Sequence, residues 1–189
     1  MASLAELEVE AGVCTKCALA AGRTTVVFGV GHPHASLMLV GEGPGREEDL
    51  AGEPFVGRSG RLLDQLIWEE MGLKRSQLYI ANVVKCRPPG NRDPKPEEVE
   101  ACRPWLQAQL ELIAPSVIVT LGNFASRLLL ATEEGITRLR GRGYGLGEAT
   151  VFPTYHPAAA LRGGGEVMAR MRADLVRAKE ALATVGAAT

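Results

Sequence analysis

The chain lacks the features that would tie it to a membrane, a secretory route or a strong charge field. No apolar run approaches the roughly 20 consecutive residues a bilayer-spanning helix needs. Met1–Glu10 has no apolar signal core, and Glu6, Glu8 and Glu10 make it acidic. Ser3 and Glu6 stand at capping-box spacing, so the stretch reads as a helix and the protein as cytoplasmic. A net charge of −1 leaves no global basic field to announce a nucleic-acid partner. There is no internal repeat and no linker that would split domains. The 189 residues, 46% hydrophobic and 23% charged, therefore read as a single domain over 1–189 with a real core, most simply a monomer without membrane contact. Cysteine is scarce. Four residues in a reducing compartment favour metal binding over disulfides.

What is present is an alternation of short apolar strands and helices. Ser36–Gly41 is a buried strand that stops in the turn Gly41-Glu42-Gly43-Pro44-Gly45. Glu47, Glu48 and Asp49 follow, then Phe55 in a second glycine-rich turn. Ser59–Met71 is an amphipathic helix that Gly72 closes. Leu78–Val84 is the second strand, Pro96–Ile113 a long helix with Pro at its start, and Ser116–Leu121 the third strand. Asn123–Ala131 is a helix, Gly135–Gly147 an irregular basic stretch, and Ala149–Thr154 the fourth strand. Glu166–Leu182 is the last helix, and the tail Val185–Thr189 is expected to fray. Strand–helix alternation predicts an α/β fold with a parallel sheet covered on both faces.

Cys14-x-x-Cys17 places two thiolates within reach of one metal, and Cys86 and Cys102 complete a set of four. That set suits either structural zinc or an iron–sulfur cluster. Separately, Glu42, Asn82 and His156 each fall at or just beyond a strand's carboxyl end, where open α/β sheets bind ligands. His32 and His34 are loop residues with no catalytic assignment. An amide in an apolar strand suits recognition of a base edge, and an aromatic such as Phe55 suits stacking on a heterocycle. His156 is placed to stabilise charge on a departing ring and Glu42 to hold a water. From the residues alone this is a hydrolase or binder of nucleobase-like ligands. Basic clusters at Lys85, Arg87 and Arg92 and at Arg138, Arg140 and Arg142 offer local contacts to a polymer.

Several stretches occur together in order: Cys14-x-x-Cys17, Gly41-Glu42-Gly43-Pro44-Gly45, Pro54-Phe55-Val56-Gly57, Asn82-Val83-Val84-Lys85-Cys86-Arg87-Pro88-Pro89, Cys102 and His156-Pro157-Ala158. In that order the chain resembles the iron–sulfur class of uracil-DNA glycosylases, family 4, over nearly its whole length. The resemblance implies a three-layer αβα fold around a central four-stranded parallel sheet. It implies a [4Fe–4S] cluster on Cys14, Cys17, Cys86 and Cys102. It implies monofunctional release of uracil from single- or double-stranded DNA, leaving an abasic site, in a cytoplasmic enzyme that works at the nucleoid.

By the same resemblance Phe55 stacks on uracil, Asn82 reads its polar edge, and Glu48 crowds C5 against thymine. Glu42 and the Gly43 backbone hold the water region, and His156 stabilises the uracil anion. Gly43 stands where another glycosylase class has a water-activating Asp. One departure concerns DNA contact: Ala158-Ala159-Ala160 replaces the bulky wedge of the family pattern, which makes insertion weak or shifts it to Leu161 and Arg162. Arg87, Arg140, Leu161 and Arg162 are the expected DNA-binding residues. No histidine lies within Arg87–Glu98, unlike the relatives that bond covalently to the abasic sugar. A non-catalytic metal module that senses redox state and a hydrolase of free dUMP-like ligands are the competing readings.

Overall fold

A computed structural model describes residues 3–186. The first helix, α1 (Leu4–Gly12), begins at the capping box read from the sequence, with Ser3 Oγ accepting the Glu6 N–H at 3.2 Å. The strands are β1 (Val30–Gly31), β2 (Leu37–Gly41), β3 (Tyr79–Asn82), β4 (Val117–Leu121), β5 (Tyr144–Leu146) and β6 (Ala149–Thr154). They form one sheet in the order β1-β3-β2-β4-β6-β5. The central four, β3-β2-β4-β6, are parallel, as expected. Two short antiparallel edges, β1 and β5, were not legible in the sequence and cover the outer ladders.

The remaining helices are α2 (Arg46–Ala51), α3 (Arg58–Met71), α4 (Pro96–Ile113), α5 (Asn123–Leu130), α6 (Ile136–Leu139) and α7 (Pro157–Gly186). Side chains alternate across a strand, so a strand buried on both sides feeds two cores. Met38 and Val40 pack with Leu7, Trp105 and Leu106 on the face covered by α1, α4 and α5. Leu37 and Leu39 pack with Leu63, Leu66 and Leu175 on the face covered by α3 and α7. This is the expected three-layer arrangement. Truncating a fully buried residue such as Leu39 to Ala costs about 2–5 kcal/mol.

Three local expectations are corrected. The second strand is shorter than Leu78–Val84. Past Asn82 the pairing runs loop to loop, with Val83 N donating to Gly41 O at 2.9 Å and Val84 N to Glu42 O at 3.1 Å. Gly135–Gly147 is not irregular throughout: Ile136 and Leu139 bury one side of α6, and β5 turns back on β6 at Gly147, φ +58°. The last helix starts at Pro157 rather than near Glu166, because Pro and three alanines form a first segment that breaks at Gly164, φ +70°. Its helical run reaches Gly186, and the rest of the tail expected to fray lies outside the described residues.

Arg140 is also corrected. Its guanidinium faces inward and pairs with buried Asp174 through Nη2–Oδ1 at 2.7 Å and Nε–Oδ2 at 2.9 Å. Asp174 also accepts Thr154 Oγ1 at 2.8 Å. The pair therefore ties the end of β6 to α7 instead of offering a charge to DNA.

Candidate active site

The parallel strands bring their carboxyl ends to one edge, with Gly41 in register with Asn82 and Leu121 with Thr154. A cavity of about 810 Å³ opens there, lined among others by Glu42, Gly43, Glu48, Phe55, Asn82 and His156. The sequence scattered these residues over more than a hundred positions, and the sheet gathers all six.

Glycine at 41 is what lets the floor close. A Cβ there would lie 2.5 Å from Asn82 Oδ1 and 2.6 Å from Phe55 Cζ. Asn82 and the Phe55 ring thus meet over a bare backbone. Phe55 adopts φ +55°, a strained value for a bulky residue, worth about 1–3 kcal/mol. Its surroundings impose that value. The Arg75 guanidinium donates to the carbonyls of Pro54 and Phe55 and pairs with Asp64 at 3.0 Å. The Glu48 carboxylate accepts the N–H groups of Gly45 at 3.1 Å, Val56 at 3.0 Å and Gly57 at 3.0 Å. Glu48 therefore laces the two glycine turns together as well as facing the cavity. The Phe55 ring stands 5.6 Å from the His156 ring at 33°.

Asn82 is 1% exposed, yet its side-chain Oδ1 has no hydrogen-bond partner in the protein. A buried acceptor without a donor costs about 1–3 kcal/mol. The fold tolerates that cost at a cavity wall where a ligand N–H would satisfy it.

Burial, and then the Asp93 carboxylate, push Glu42 up to about 7. Burial, and then the Arg162 charge, push His156 down to about 4, against a smaller opposing pull from Glu48. His156 is therefore neutral at ordinary pH. Its Nδ1 accepts the Ala158 N–H at 3.1 Å, which leaves the proton of the neutral ring on Nε2. The site thus holds a neutral N–H donor and a carboxyl group poised near neutrality.

Gly43 lines the cavity, and a Cβ on it would come within 2.7 Å of Val84 Cγ2, so an Asp there would need the loop to shift. Arg162 lines the cavity and Leu161, 37% exposed, sits beside it in sequence. Arg87 donates to Asn91 Oδ1 at 2.7 Å and does not line the cavity, and neither does Arg140. Sequence reasoning missed Arg46, Arg58 and Arg127, which line the cavity and, among the described residues, form no ion pair. The first two directly follow the glycine turns, a signal that was there to read. Arg127 on α5 gave none.

On the other face of β3, Cys14, Cys17, Cys86 and Cys102 all line one small cavity and form no disulfide. Two donors already point at their sulfurs: Arg23 Nη1 lies 3.6 Å from Cys86 Sγ, and the Lys85 N–H lies 3.2 Å from Cys102 Sγ. Burial pushes the Cys102 thiol up to about 11, so it is protonated unless a metal takes it. Among the described residues no three His, Cys, Asp or Glu side chains are grouped to hold one metal ion.

Residues 28–182 match the family model described as the uracil DNA glycosylase superfamily. The chain is 48% identical over 169 residues to the type-4 uracil-DNA glycosylase of Sulfurisphaera tokodaii, covering 85% of this chain and 77% of that one. It is 47% identical over 169 residues to the Thermotoga maritima type-4 enzyme, covering 88% of each. The Archaeoglobus fulgidus type-4 enzyme is 46% identical over 169 residues, covering 85% of this chain and 84% of its own.

Proposed function

Since the chain belongs to the uracil-DNA glycosylase superfamily, is a type-4 uracil-DNA glycosylase and works in DNA repair, we propose that Asn82, Phe55, His156 and Glu42 carry the excision. The observation behind this division of labour is the unpaired, buried Asn82 Oδ1 at the cavity floor. A uracil turned out of DNA would offer its N3–H to Oδ1 and lie along the Phe55 ring. In a duplex, turning the base out costs a few kcal/mol, which single strands avoid.

The reaction adds water across the bond between C1′ and N1. The bonding pair leaves with uracil, and its anion gathers charge at O2. The His156 Nε2–H would donate to that oxygen, an interaction stronger to the anion than to the bound base, and so one that favours the transition state. Glu42 would orient the attacking water and take its proton as the C1′–O bond forms. With Gly43 in place of an Asp, leaving-group stabilisation dominates. Glu48, by fixing the turns around Phe55, narrows the pocket on the side where a C5 methyl group would lie.

The four-cysteine cavity is read as the seat of a [4Fe–4S] cluster. The four thiols share one cavity with donors directed at their sulfurs. Bound there, the cluster would cross-link the segment after α1, the loop after β3 and α4. Arg46, Arg58, Arg127 and Arg162 would hold the phosphates of the strand carrying the base, with Leu161 beside them as the residue entering a duplex. The protein acts as a monomer at the nucleoid.

The test is release of free uracil from a single-stranded oligonucleotide with one deoxyuridine, with dUMP and a thymine oligonucleotide as comparisons. Release from the oligonucleotide alone is expected. Release from dUMP at an equal rate, or no release by folded, iron-loaded protein, would overturn this reading.

A further inference from the structure

Among the described residues, two buried side-chain polar atoms have no hydrogen-bond partner: Asn82 Oδ1 and Trp105 Nε1. Trp105 is 4% exposed on α4, three residues after Cys102 and so on the same helical face. It lines the cysteine cavity together with all four thiols. An indole N–H can only donate, and burying it without an acceptor costs about 1–3 kcal/mol. Two other donors at this cavity have acceptors: Arg23 reaches Cys14 O at 2.6 Å as well as Cys86 Sγ, and the Lys85 N–H reaches Cys102 Sγ. Lys16 Nζ sits 4.4 Å from the centroid of the Trp105 ring. A cation on the ring face draws π density away and makes the indole N–H a stronger donor.

We propose that Trp105 donates its indole N–H to the sulfur core held by Cys14, Cys17, Cys86 and Cys102, and so tunes that core. The proposal rests on the cluster reading given above. A hydrogen bond to cluster sulfur stabilises the more electron-rich, reduced state above the oxidised one and moves the reduction potential upward. Trp105 lines the cysteine cavity and not the active-site cavity, so its effect falls on the cluster and not on base release.

The experiment is Trp105→Phe, which keeps an aromatic ring beneath Lys16 and deletes the N–H. Iron per chain and uracil release are expected to match wild type, while the reduction potential measured at an electrode shifts negative. A second measurement does not depend on the variant loading its cluster. Wild type labelled with ¹⁵N at the indoles is reduced with dithionite, and its pulsed EPR spectrum is expected to show a ¹⁵N coupling. Trp68, on α3 and 56% exposed, lines no part of the cavity, and Trp68→Phe leaves that coupling in place. Equal potentials, or a reduced wild type without the coupling, would overturn the assignment of Trp105 while leaving the cluster reading intact. A folded wild type without iron would overturn both.

Discussion

Asn82→Ala separates a ligand-reading amide from a structural one. In the free protein, Oδ1 is buried and unpaired, and the backbone carbonyl of Asn82 accepts Lys85 Nζ at 2.9 Å. Removing the side chain relieves an orphaned acceptor worth about 1–3 kcal/mol and creates a small void of comparable cost. Net stability should change by no more than about 1 kcal/mol, or roughly 2–4 °C in Tm for a chain of this size. Activity should behave differently. The amide offers uracil two hydrogen bonds: the one it donates to a base oxygen strengthens as the base becomes an anion and is worth about 1.5–3 kcal/mol, and the one it accepts from N3–H is worth about 0.5–1.5 kcal/mol. Losing both removes about 2–4.5 kcal/mol from the transition state, a rate loss on the order of 30- to 2,000-fold. The assay is single-turnover uracil release from a single-stranded oligonucleotide beside a thermal melt of the same preparation. A rate loss under about tenfold would refute the role. So would a fall in Tm of roughly 8 °C or more, which would make Asn82 a structural residue.

The pH dependence follows from two groups. Glu42 titrates near 7 and His156 near 4, so uracil release should rise through a single limb centred near pH 7, with no histidine limb between pH 5 and 8. Glu42→Gln should flatten that limb. Because folding raises the Glu42 pKa, the native state holds its proton longer than the unfolded chain, and stability falls as pH rises from 4.5 to about 7. The Gln variant lacks that loss and should melt higher than wild type at pH 8; an equal melting difference at pH 4 and pH 8 would refute the shift. Arg58→Gln with Arg162→Gln should weaken binding of a single-stranded oligonucleotide and reduce the slope of log Kd against log salt by about 1.4, at about 0.7 per phosphate contact. An unchanged slope would remove these arginines from the DNA path. Gly60→Ala would put a Cβ 1.7 Å from Phe55 O, so release should collapse and stability drop by about 1–3 kcal/mol. Gly165→Ala, with open space around it, serves as the neutral comparison, and equal behaviour of the two would refute the tight seating of Phe55.

Much of the site was legible because parallel strands mark their own ends. An apolar run that stops at glycine, such as Leu37–Gly41, or at a polar residue, such as Tyr79–Asn82, shows where a side chain meets the ligand edge. The four cysteines stood out by count, and the fold brings them to one cavity. Arg140 was not, because its partner Asp174 lies 34 residues downstream and only packing of α7 on β6 brings them together. The edge strands were hidden for another reason. Two or three residues carry no periodicity, and β1 and β5 exist because neighbouring strands offer a ladder. The early start of α7 was obscured by Gly163-Gly164-Gly165, which reads as a stop but is a break inside a longer helical run. Glu48 looked like a specificity residue alone, and its three backbone hydrogen bonds appear only when the turns fold toward each other.

Why a hydrolase with no redox step should keep four cysteines has an answer in residues 82–86. Asn82 faces the cavity at the strand ends, and its carbonyl accepts Lys85 Nζ, while Cys86 and Cys102 sit at the other cavity. Lys85 is 1% exposed and also reaches Gln109 on α4, whose amide donates to Phe28 O at 2.9 Å and Tyr79 Oη at 3.2 Å. A buried ammonium is held only where its acceptors are fixed; these come from β3 and α4, and Gln109 is fixed in turn by Phe28 in the loop before β1 and by Tyr79. A cluster bound by Cys86 and Cys102, as proposed above, would fix the same loop and the same helix from the other side. The strand end that presents Asn82 is thus clamped between a polar network and a four-thiol site. The orphaned Oδ1 stays aimed at the cavity because its backbone has no freedom to turn away.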